Sequence, residues 1–348
     1  MAEHIGIGLI GYGFASKTFH APLIEGTEGL RIVAVSSSDA DKVLSDLPGV
    51  HVETDPAAVI HSPAVQLVVI PTPNETHFPL AKQALLAGKH VIVDKPFTVT
   101  LSQAQELQQL ADSRRLLLSV FHNRRWDSDF LTVRQLIRDG ILGDILDFES
   151  HYDRFRLEVK DRWREQPGAG SGLWYDLAPH LLDQALVLFG MPVAMTVDLA
   201  QLRPGARTND YFHAVLTYPQ RRVILHGSMS AAAQTPRYTL HGTKGSFVKY
   251  GLDPQEARLK NGERPPRPDW GADALDGVLT LVENGVVTEH TVRTLPGNYP
   301  AYYAAIRDAI LNKSDNPVKP SDAIRVMELI ELGIASSELK KTLAVKNG

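Results

Sequence analysis

Short apolar runs alternate with helical stretches along the first third of the chain. This alternation predicts buried parallel strands joined by crossover helices. The predicted strands are Ile5–Ile10, Arg31–Val35, Leu67–Ile70, His90–Val93 and Leu116–Val120. The predicted helices are Ser16–Gly26, Asp39–Leu47, His77–Ala87 and Ser102–Arg114. Residues 1–122 are therefore expected to form an α/β domain around a parallel sheet.

The pattern changes after Asn123, where strands with few intervening helices begin. Short turns between such strands indicate antiparallel pairing. The predicted strands are Ile145–Tyr152, Ala194–Leu202, Tyr211–Tyr218, Arg221–Ser228, Arg237–His241 and Val286–Arg293, and the predicted helices are 127–139, Leu173–Phe189, Tyr299–Asn312 and Ser321–Leu343. The proline-rich segment 261–269 is predicted to be a loop. Residues 123–348 are expected to form an α+β domain with a large, mostly antiparallel open sheet.

Composition narrows the function classes. A chain of 348 residues suggests about two domains. The net charge of −4 gives no basic field that would attract nucleic acid or acidic lipid. The chain has no cysteine, which excludes disulfides and thiolate chemistry. No apolar run reaches the roughly 18 residues of a membrane span, and the N-terminus resembles a strand rather than a signal peptide, so a cytoplasmic protein is expected.

A glycine turn follows the first predicted strand. A register starting at Gly6 matches dinucleotide-binding spacing, but it falls inside that strand. The register starting at Gly11 follows the strand and opens a helix, with Ser16 in place of a third glycine. It predicts a pyrophosphate at the helix N-terminus, and a tight turn without a ligand is the alternative. The turn residues are Gly11, Tyr12, Gly13 and Phe14.

The end of the second predicted strand bears on the choice of cofactor. NAD sites usually carry an acid there for the ribose 2′-hydroxyl, whereas this chain has serines that include Ser37. Lys42 follows on the next helix turn. Hydroxyls with a cation suit a 2′-phosphate and favour NADP over NAD. The alternative is that Ser38 or Asp39 only caps a helix.

Lys95 comes directly after the strand His90–Val93 and precedes Pro96. Ligands of open α/β sheets lie beyond the carboxyl ends of the strands, so Lys95 is expected near a bound nicotinamide. A lysine in a partly desolvated cleft can donate a proton or hydrogen bond to an alcohol or ketone oxygen. A solvated lysine at the start of a loop is the alternative.

A second group of polar residues follows the glycine-rich run 168–172. Asp176 and His180 stand four residues apart on a predicted helix and therefore share one face. Histidine titrates near neutrality and suits a general base, while a polar surface face is the alternative. A zinc site needs three protein ligands, and no third ligand stands at a telling spacing, so no metal is assigned. Trp163 and Arg164 are candidates for nicotinamide contact, with a core tryptophan beside a surface arginine as the alternative.

Taken in their order along the chain, these motifs resemble those of the Gfo/Idh/MocA family, the glucose-fructose and inositol oxidoreductases. The glycine turn comes first, then Thr72-Pro73-Asn74-Glu75-Thr76-His77, then Asp94-Lys95-Pro96 and the Asp176–His180 helix. The resemblance covers the whole chain and implies a Rossmann N-terminal domain. It also implies cofactor contacts from Thr72, Asn74, His77, Asp94, Trp163 and Arg164. Two positions depart from the family pattern, since Asp94 replaces a glutamate and Ser16 a glycine.

The resemblance implies NAD(P)-dependent hydride transfer to or from a secondary alcohol of a sugar, inositol or related polyol. Lys95 would orient substrate and cofactor, His180 would act as acid/base and Asp176 would complete the site. One alternative is a cofactor-binding sensor without catalysis. Another is a glycosidase that oxidises its substrate transiently with a retained nicotinamide. A homodimer or homotetramer is expected.

Overall fold

The structure is a computed structural model and describes residues 4–346. Internal contacts divide the chain into two compact units. The first unit contains Met1–Trp126, Pro254–Trp270 and Asn298–Ile324, and the second contains the remaining three segments. Two distant segments thus join the N-terminal part of the chain. The domain boundary at residues 122 and 123 stays a prediction.

The first unit is built on a parallel sheet of six strands. The strands are β1 (Ile5–Ile10), β2 (Leu30–Ser36), β3 (His51–Glu53), β4 (Leu67–Ile70), β5 (His90–Val93) and β6 (Leu118–Val120). Their order is β3-β2-β1-β4-β5-β6, the arrangement of a dinucleotide-binding Rossmann sheet. The predicted parallel fold is confirmed. The strand β3 was missed, because it is only three residues long and carries no buried side chain.

Helices cover the sheet of the first unit. A π-helical turn, Ser16–His20, leads into α1 (Ala21–Glu25), and α2 (Ala40–Asp46), α3 (Pro56–His61), α4 (Asn74–Leu86) and α5 (Leu101–Arg114) follow. The sequence predicted one continuous helix over 16–26. A proline lacks the N–H that a continuous α-helix needs, and Pro22 stands in the first turn of α1, where that loss is tolerated. Thr100 and Gln103 form a capping box that starts α5.

The central strands β1 and β4 of the first unit are wholly apolar, as expected for a parallel sheet with helices on both faces. Every residue of β1 and β4 is buried. Such burial stabilises a fold by about 25 cal/mol per Å² of apolar surface removed from water. This rigid sheet fixes the positions of the loops that leave its carboxyl edge.

The second unit contains a sheet of nine strands. Along the chain, helix α6 (Ser128–Arg138) precedes the long strand β7 (Ile145–Asp153), and helix α7 (Gly172–Phe189) follows it. The other strands are β8 (Ala194–Ala200), β9 (Tyr211–Thr217), β10 (Arg222–Ser228), β11 (Tyr238–Gly242), β12 (Gly245–Lys249), β13 (Gly277–Glu283), β14 (Val286–Val292) and β15 (Leu343–Ala344). Only β7 and β10 pair in parallel, so the predicted mostly antiparallel sheet is confirmed.

The two faces of this sheet differ. Phe212, Leu216 and Leu225 are fully buried on the face that packs against α7. On the same face, Arg237 Nη2 donates a hydrogen bond to Gln184 Oε1 of α7 at 3.0 Å. Residues at the alternate positions of β7, β9 and β10 are only half-buried and include several histidines and acids. Side chains of a strand alternate between faces, which accounts for the contrast.

The last helices are α8 (Gln255–Lys260), α9 (Pro300–Ile310) and α10 (Pro320–Leu339). The predicted helix over 321–343 was too long at its end, because Lys340 takes a left-handed φ of 51° that stops α10. Segment 261–269 is a loop, as predicted. Among the described residues, no helix combines the length and the apolar character needed to cross a bilayer.

Glu256 of α8 joins two cations within the first unit. Its Oε2 lies 2.6 Å from Arg124 Nη2, and Lys260 contacts Oε1. Burial alone would raise the pKa of Glu256, but the Arg124 charge and the Lys260 hydrogen bond lower it to about 2. The ionised carboxylate therefore favours the folded state.

We expect Glu256→Gln to lower the free energy of unfolding at pH 7 by about 2–3 kcal/mol. Because the folded pKa lies below the unfolded value, this stabilisation is present above about pH 4.5 and is lost as the pH falls through about 2. Urea unfolding at pH 7 and pH 3 measures the difference. Glu283→Gln, at an exposed position of β13, is the control. A gap between wild type and Glu256→Gln that is equal at both pH values would contradict the assignment.

Candidate functional site

The glycine turn follows β1 at the point where the strand order of the first unit reverses. Gly11 has a left-handed φ of 81°, and its N–H donates to the Ser36 carbonyl at 2.9 Å. The Ser16 hydroxyl donates to the Gly11 carbonyl at 2.8 Å, so the serine in place of a third glycine locks the turn. Gly6 and Gly8 lie inside β1, which confirms the later register.

Gly13 leaves the turn open to a ligand. A Cβ placed on Gly13 would meet no atom within 4 Å. A Cβ on Gly11 would lie 3.5 Å from Thr72 Cγ2, which puts the loop after β4 beside the glycine turn. In open α/β sheets the ligand crevice lies at such a switch point between β1 and β4. The turn thus has the form that a dinucleotide pyrophosphate requires.

The other two residues of the turn differ in exposure. Tyr12 is buried, and its hydroxyl donates to Asp46 Oδ2 at 3.2 Å, so its side chain is engaged within the fold. Burial and the nearby Asp46 charge raise the pKa of Tyr12 well above its usual value. Phe14 is exposed, with the Lys260 ammonium 5.6 Å from its ring centre. Phe14 is therefore the turn side chain that is accessible to a ligand.

His77 ties together two loops at the carboxyl edge of the sheet. It is fully buried on α4, with Nε2 2.9 Å from the Thr72 carbonyl and Nδ1 2.8 Å from the Pro96 carbonyl. Burial lowers the pKa of His77 and favours the neutral ring, whose single N–H donates to one of these two carbonyls while the other ring nitrogen lies against the second. The side chain of His77 therefore supports the loops, whereas the sequence predicted that it contacts the cofactor. Asn74, the first residue of α4, is buried in the same region.

Lys95 follows β5 in the first unit and is half-buried. Its backbone N–H donates to Asp94 Oδ1 at 2.7 Å. Burial would raise the pKa of Asp94, but the nearby polar His20 ring and the charge of Lys95 hold it below its usual value. Asp94 is thus an anion next to Lys95 in the chain.

A buried histidine lies next to Asp94 and a buried tyrosine next to that histidine, and neither was predicted from the sequence. His20 Nε2 lies 3.6 Å from Asp94 Oδ2, and His20 Nδ1 lies 2.6 Å from the Tyr303 hydroxyl. Burial raises the pKa of Tyr303 well above its usual value, so the phenol keeps its proton. The phenol can then donate to Nδ1, which directs an Nε2 proton toward Asp94. Tyr303 on α9 and His20 on the π-helical turn are 283 residues apart and meet only in the folded chain, so no local motif predicts this contact.

The residues after β2 have the donors that a phosphate binds. Ser37 is half-buried, while Ser38 and Lys42 are exposed at the same edge. Asp39 caps α2, since its Oδ1 accepts from the Lys42 N–H at 3.0 Å. The capping alternative raised from the sequence is therefore realised for Asp39, and the Lys42 ammonium remains available to a ligand.

Asp176 and His180 lie on α7 of the second unit. Asp176 is half-buried and His180 is buried. Arg164 Nε lies 3.8 Å from Asp176 Oδ1, and the Arg164 guanidinium lies 5.0 Å from the Trp163 ring centre. Three of the four residues predicted in this part of the chain, Trp163, Arg164 and Asp176, are thus linked in space.

A buried ion-pair network fixes the segment that carries Trp163 and Arg164. Glu165 Oε2 accepts from Arg203 at 3.1 Å, and Arg203 Nε donates to Asp210 at 2.9 Å. Arg203 and both acids are buried. No local motif predicts this network, because Glu165 and Arg203 are 38 residues apart along the chain. It holds the loop that faces Asp176 in a single arrangement.

The six-stranded parallel sheet with its glycine turn is the fold of a dinucleotide-binding unit, which is typical of nicotinamide-dependent oxidoreductases. Two family models match the chain: "Oxidoreductase family, NAD-binding Rossmann fold" over residues 5–122 and "Oxidoreductase family, C-terminal alpha/beta domain" over residues 134–345. The chain belongs to the Gfo/Idh/MocA oxidoreductase family, which confirms the resemblance.

Several relatives match along their whole length. The oxidoreductase YdgJ of Escherichia coli is 66% identical, over 99% of this chain and 100% of YdgJ. The Bacillus subtilis protein IolW, named scyllo-inositol 2-dehydrogenase (NADP(+)), is 38% identical over 99% of this chain and 97% of IolW. A solved oxidoreductase structure from Yersinia pestis superposes with a TM-score of 0.97 at 60% identity, covering 100% of this chain and 99% of that one.

The open space at Gly13 gives a test of the glycine turn. We expect Gly13→Ala to fold with wild-type stability, because the new methyl meets no atom and the backbone needs no left-handed φ. We expect it to weaken cofactor binding at least about tenfold, since the methyl would block the approach of the pyrophosphate.

Thermal unfolding and fluorescence titration with NADP and NAD measure the two effects. Gly49→Ala is a strain control, since Gly49 has a φ of 82° in open space away from the turn. It should lose stability and keep its affinity. Wild-type cofactor affinity in Gly13→Ala would contradict the assignment.

Proposed function

We propose that this protein reversibly oxidises a secondary alcohol of a sugar, an inositol or a related cyclic polyol, with NADP as the preferred cofactor. The proposal rests on the position of Lys95 directly after β5. Its backbone N–H donates to Asp94, while His77 contacts the Pro96 carbonyl and His20 faces Asp94. The similarity to IolW supports an inositol as the first substrate to test, because IolW is named for scyllo-inositol.

The preference for NADP is supported by the residues after β2. Ser37, Ser38 and Lys42 offer hydroxyls and one cation to a 2′-phosphate. The nearby acid, Asp39, is engaged in capping α2. IolW, whose name includes NADP(+), adds support from similarity.

Each candidate residue receives a role from its surroundings. A bound nicotinamide supplies the hydride acceptor. Lys95 hydrogen-bonds the substrate oxygen and stabilises its developing charge. His180 takes the hydroxyl proton during oxidation and returns it during reduction. Asp176 completes the site beside His180, and Arg164 positions Asp176 through an ion pair.

Further contacts to the cofactor are proposed for the remaining candidates. The backbone of Gly11, Tyr12 and Gly13 would bind the pyrophosphate, with Phe14 beside it. Thr72 and Asn74 would line the same crevice, and Asp94 would lie toward the nicotinamide end. Trp163 and Arg164 would contact the nicotinamide half. We also propose that the protein forms a homodimer or homotetramer.

A polyol panel tests the reaction. The chain is incubated with NADP or NAD and with inositols, aldoses and anhydro sugars, and absorbance of the reduced nicotinamide is followed. Turnover with at least one cyclic polyol is the expected result. Cofactor binding without turnover across the panel would favour a sensor. Tightly retained cofactor with no net reduction, together with glycoside cleavage, would favour a glycosidase.

Lys42 gives a test of cofactor preference. We expect Lys42→Ala to weaken NADP binding by about 10-fold and to leave NAD binding unchanged, because only NADP carries a 2′-phosphate for the lost cation. Separate titrations with the two cofactors measure the change. Lys82→Ala removes an exposed lysine that pairs with Glu106 on the neighbouring helix and serves as the control. Equal losses for both cofactors would argue against a 2′-phosphate site at Lys42.

Lys95 and His180 give a test of the chemistry. Lys95→Met and His180→Asn are expected to lower turnover by about 10²–10⁴-fold, because each removes a group that acts on the reacting oxygen. Cofactor affinity should change far less. Steady-state kinetics with the best polyol, alongside cofactor titration, separates the two effects.

Matched controls are Lys82→Met and His61→Asn, at exposed positions of α4 and α3. Both should retain wild-type rates. If Lys95→Met or His180→Asn turned over its substrate nearly as fast as wild type, the role given to that residue would be wrong.

A further inference from the structure

Three histidines form a row across the half-buried face of the second unit's sheet. His226 of β10 is the register partner of His151 on β7 and of His213 on β9. The ring centres of His151 and His226 are 5.1 Å apart, and those of His213 and His226 are 5.8 Å apart. Three aligned strands therefore present imidazoles side by side on a rigid surface.

Asp153 adds a carboxylate beside two of these rings. It lies two residues after His151 on β7, so its side chain points to the same face. Its Oδ1 is 2.8 Å from His226 Nδ1, and its Oδ2 is 3.5 Å from His151 Nδ1. The second distance is too long for a good hydrogen bond. Nδ1 of His151 is buried and has no hydrogen-bond partner among the described residues.

These spacings match those of a metal-ligand set. The ligand atoms of His151, Asp153 and His226 all lie within 4.8 Å of one another. In a tetrahedral zinc site with bonds of about 2.0–2.1 Å, neighbouring ligand atoms are about 3.3 Å apart. The two measured separations, from His226 to Oδ1 and from His151 to Oδ2 of Asp153, lie on either side of that value. Two imidazoles with one carboxylate are a donor set that zinc and similar divalent cations prefer.

The groups behind these ligands support the same interpretation. Glu149 Oε2 lies 3.0 Å from His151 Nε2, on the far side of the ring from Asp153. The Thr235 hydroxyl donates to Asp153 Oδ2 at 2.8 Å. Metal-binding histidines commonly donate their second ring N–H to a carboxylate, which fixes the ring and leaves the other nitrogen for the metal. Glu149 holds His151 in that way.

We propose that His151, Asp153 and His226 bind a divalent cation of the zinc type on this face of the sheet. His151 and His226 would bind through Nδ1 and Asp153 through a carboxylate oxygen, with the fourth position open to water or to His213. The side chains of His151 and His226 are each 18% exposed, so a cation can enter from solvent. The site uses none of the residues proposed for hydride transfer.

No local sequence pattern predicts this site. His151 and Asp153 form a short His-x-Asp pair, which is a weak signal by itself. Their partner His226 lies far along the chain and comes beside them only because β7 and β10 pair in parallel. Among residues 4–346, this is the single group of three histidine or acidic side chains with metal-ligand spacing.

Zinc binding is the test, carried out on full-length protein without a histidine tag. After treatment with chelator, the protein is titrated with Zn²⁺ against a chromophoric competitor, and bound zinc is counted per chain. Co²⁺ is added in parallel, because tetrahedral coordination gives strong visible absorption. We expect one Zn²⁺ per chain and a rise in the unfolding temperature with zinc, since binding to the folded state alone stabilises it.

The variants His151→Gln and His226→Gln are each expected to weaken zinc binding at least about tenfold. His290→Gln, at an exposed position of β14, is the matched control and should bind like wild type. Cofactor titration of every variant shows that the first unit remains folded. The proposal is overturned if wild type holds no zinc at micromolar concentrations, or if His151→Gln and His226→Gln bind zinc as the control does. Neither outcome depends on turnover of a polyol.

Discussion

The buried contacts of His77 and His20 are the constraint on which the proposed chemistry depends. His77 lies between the carbonyls of Thr72 and Pro96, and His20 faces Asp94 from the π-helical turn that follows the glycine turn. The ring nitrogens of His77 and Nδ1 of His20 meet polar partners inside the protein, and such contacts fix their neighbours because an unpaired buried polar group is costly. Through them, the loops after β1, β4 and β5 keep one arrangement. The cofactor turn and Lys95 are therefore positioned by the same interior.

The first unit was predictable because its parallel strands are continuous apolar runs. Strands without a continuous apolar run were not predicted. These are β3, which is short and half-exposed, and β12 and β13, which begin at glycines. The glycines are required by packing, since a Cβ on Gly277 would lie 2.3 Å from the Phe247 ring. The end of α10 depends on the left-handed backbone of Lys340, and lysine has no preference for that conformation from which it could be predicted.

The candidate site shows the same division. Gly11, Lys95 and the Asp176–His180 pair could be named because each stands at a fixed offset from a strand or helix. The supporting groups could not, because Tyr303, Arg203 and Asp210 reach their partners only through tertiary contacts. The histidine row across β9, β10 and β7 belongs to this second class, since strand register alone assembles it.

Direct observation of hydride transfer tests the central claim. A cyclic polyol such as scyllo-inositol, carrying deuterium on its carbinol carbon, is incubated with the protein and NADP, and the nicotinamide is analysed by mass spectrometry and NMR. The account predicts deuterium on one face of C4 of the reduced nicotinamide, together with a slower rate than for the unlabelled polyol. A nicotinamide that binds the protein yet acquires no deuterium from any polyol tested would contradict it.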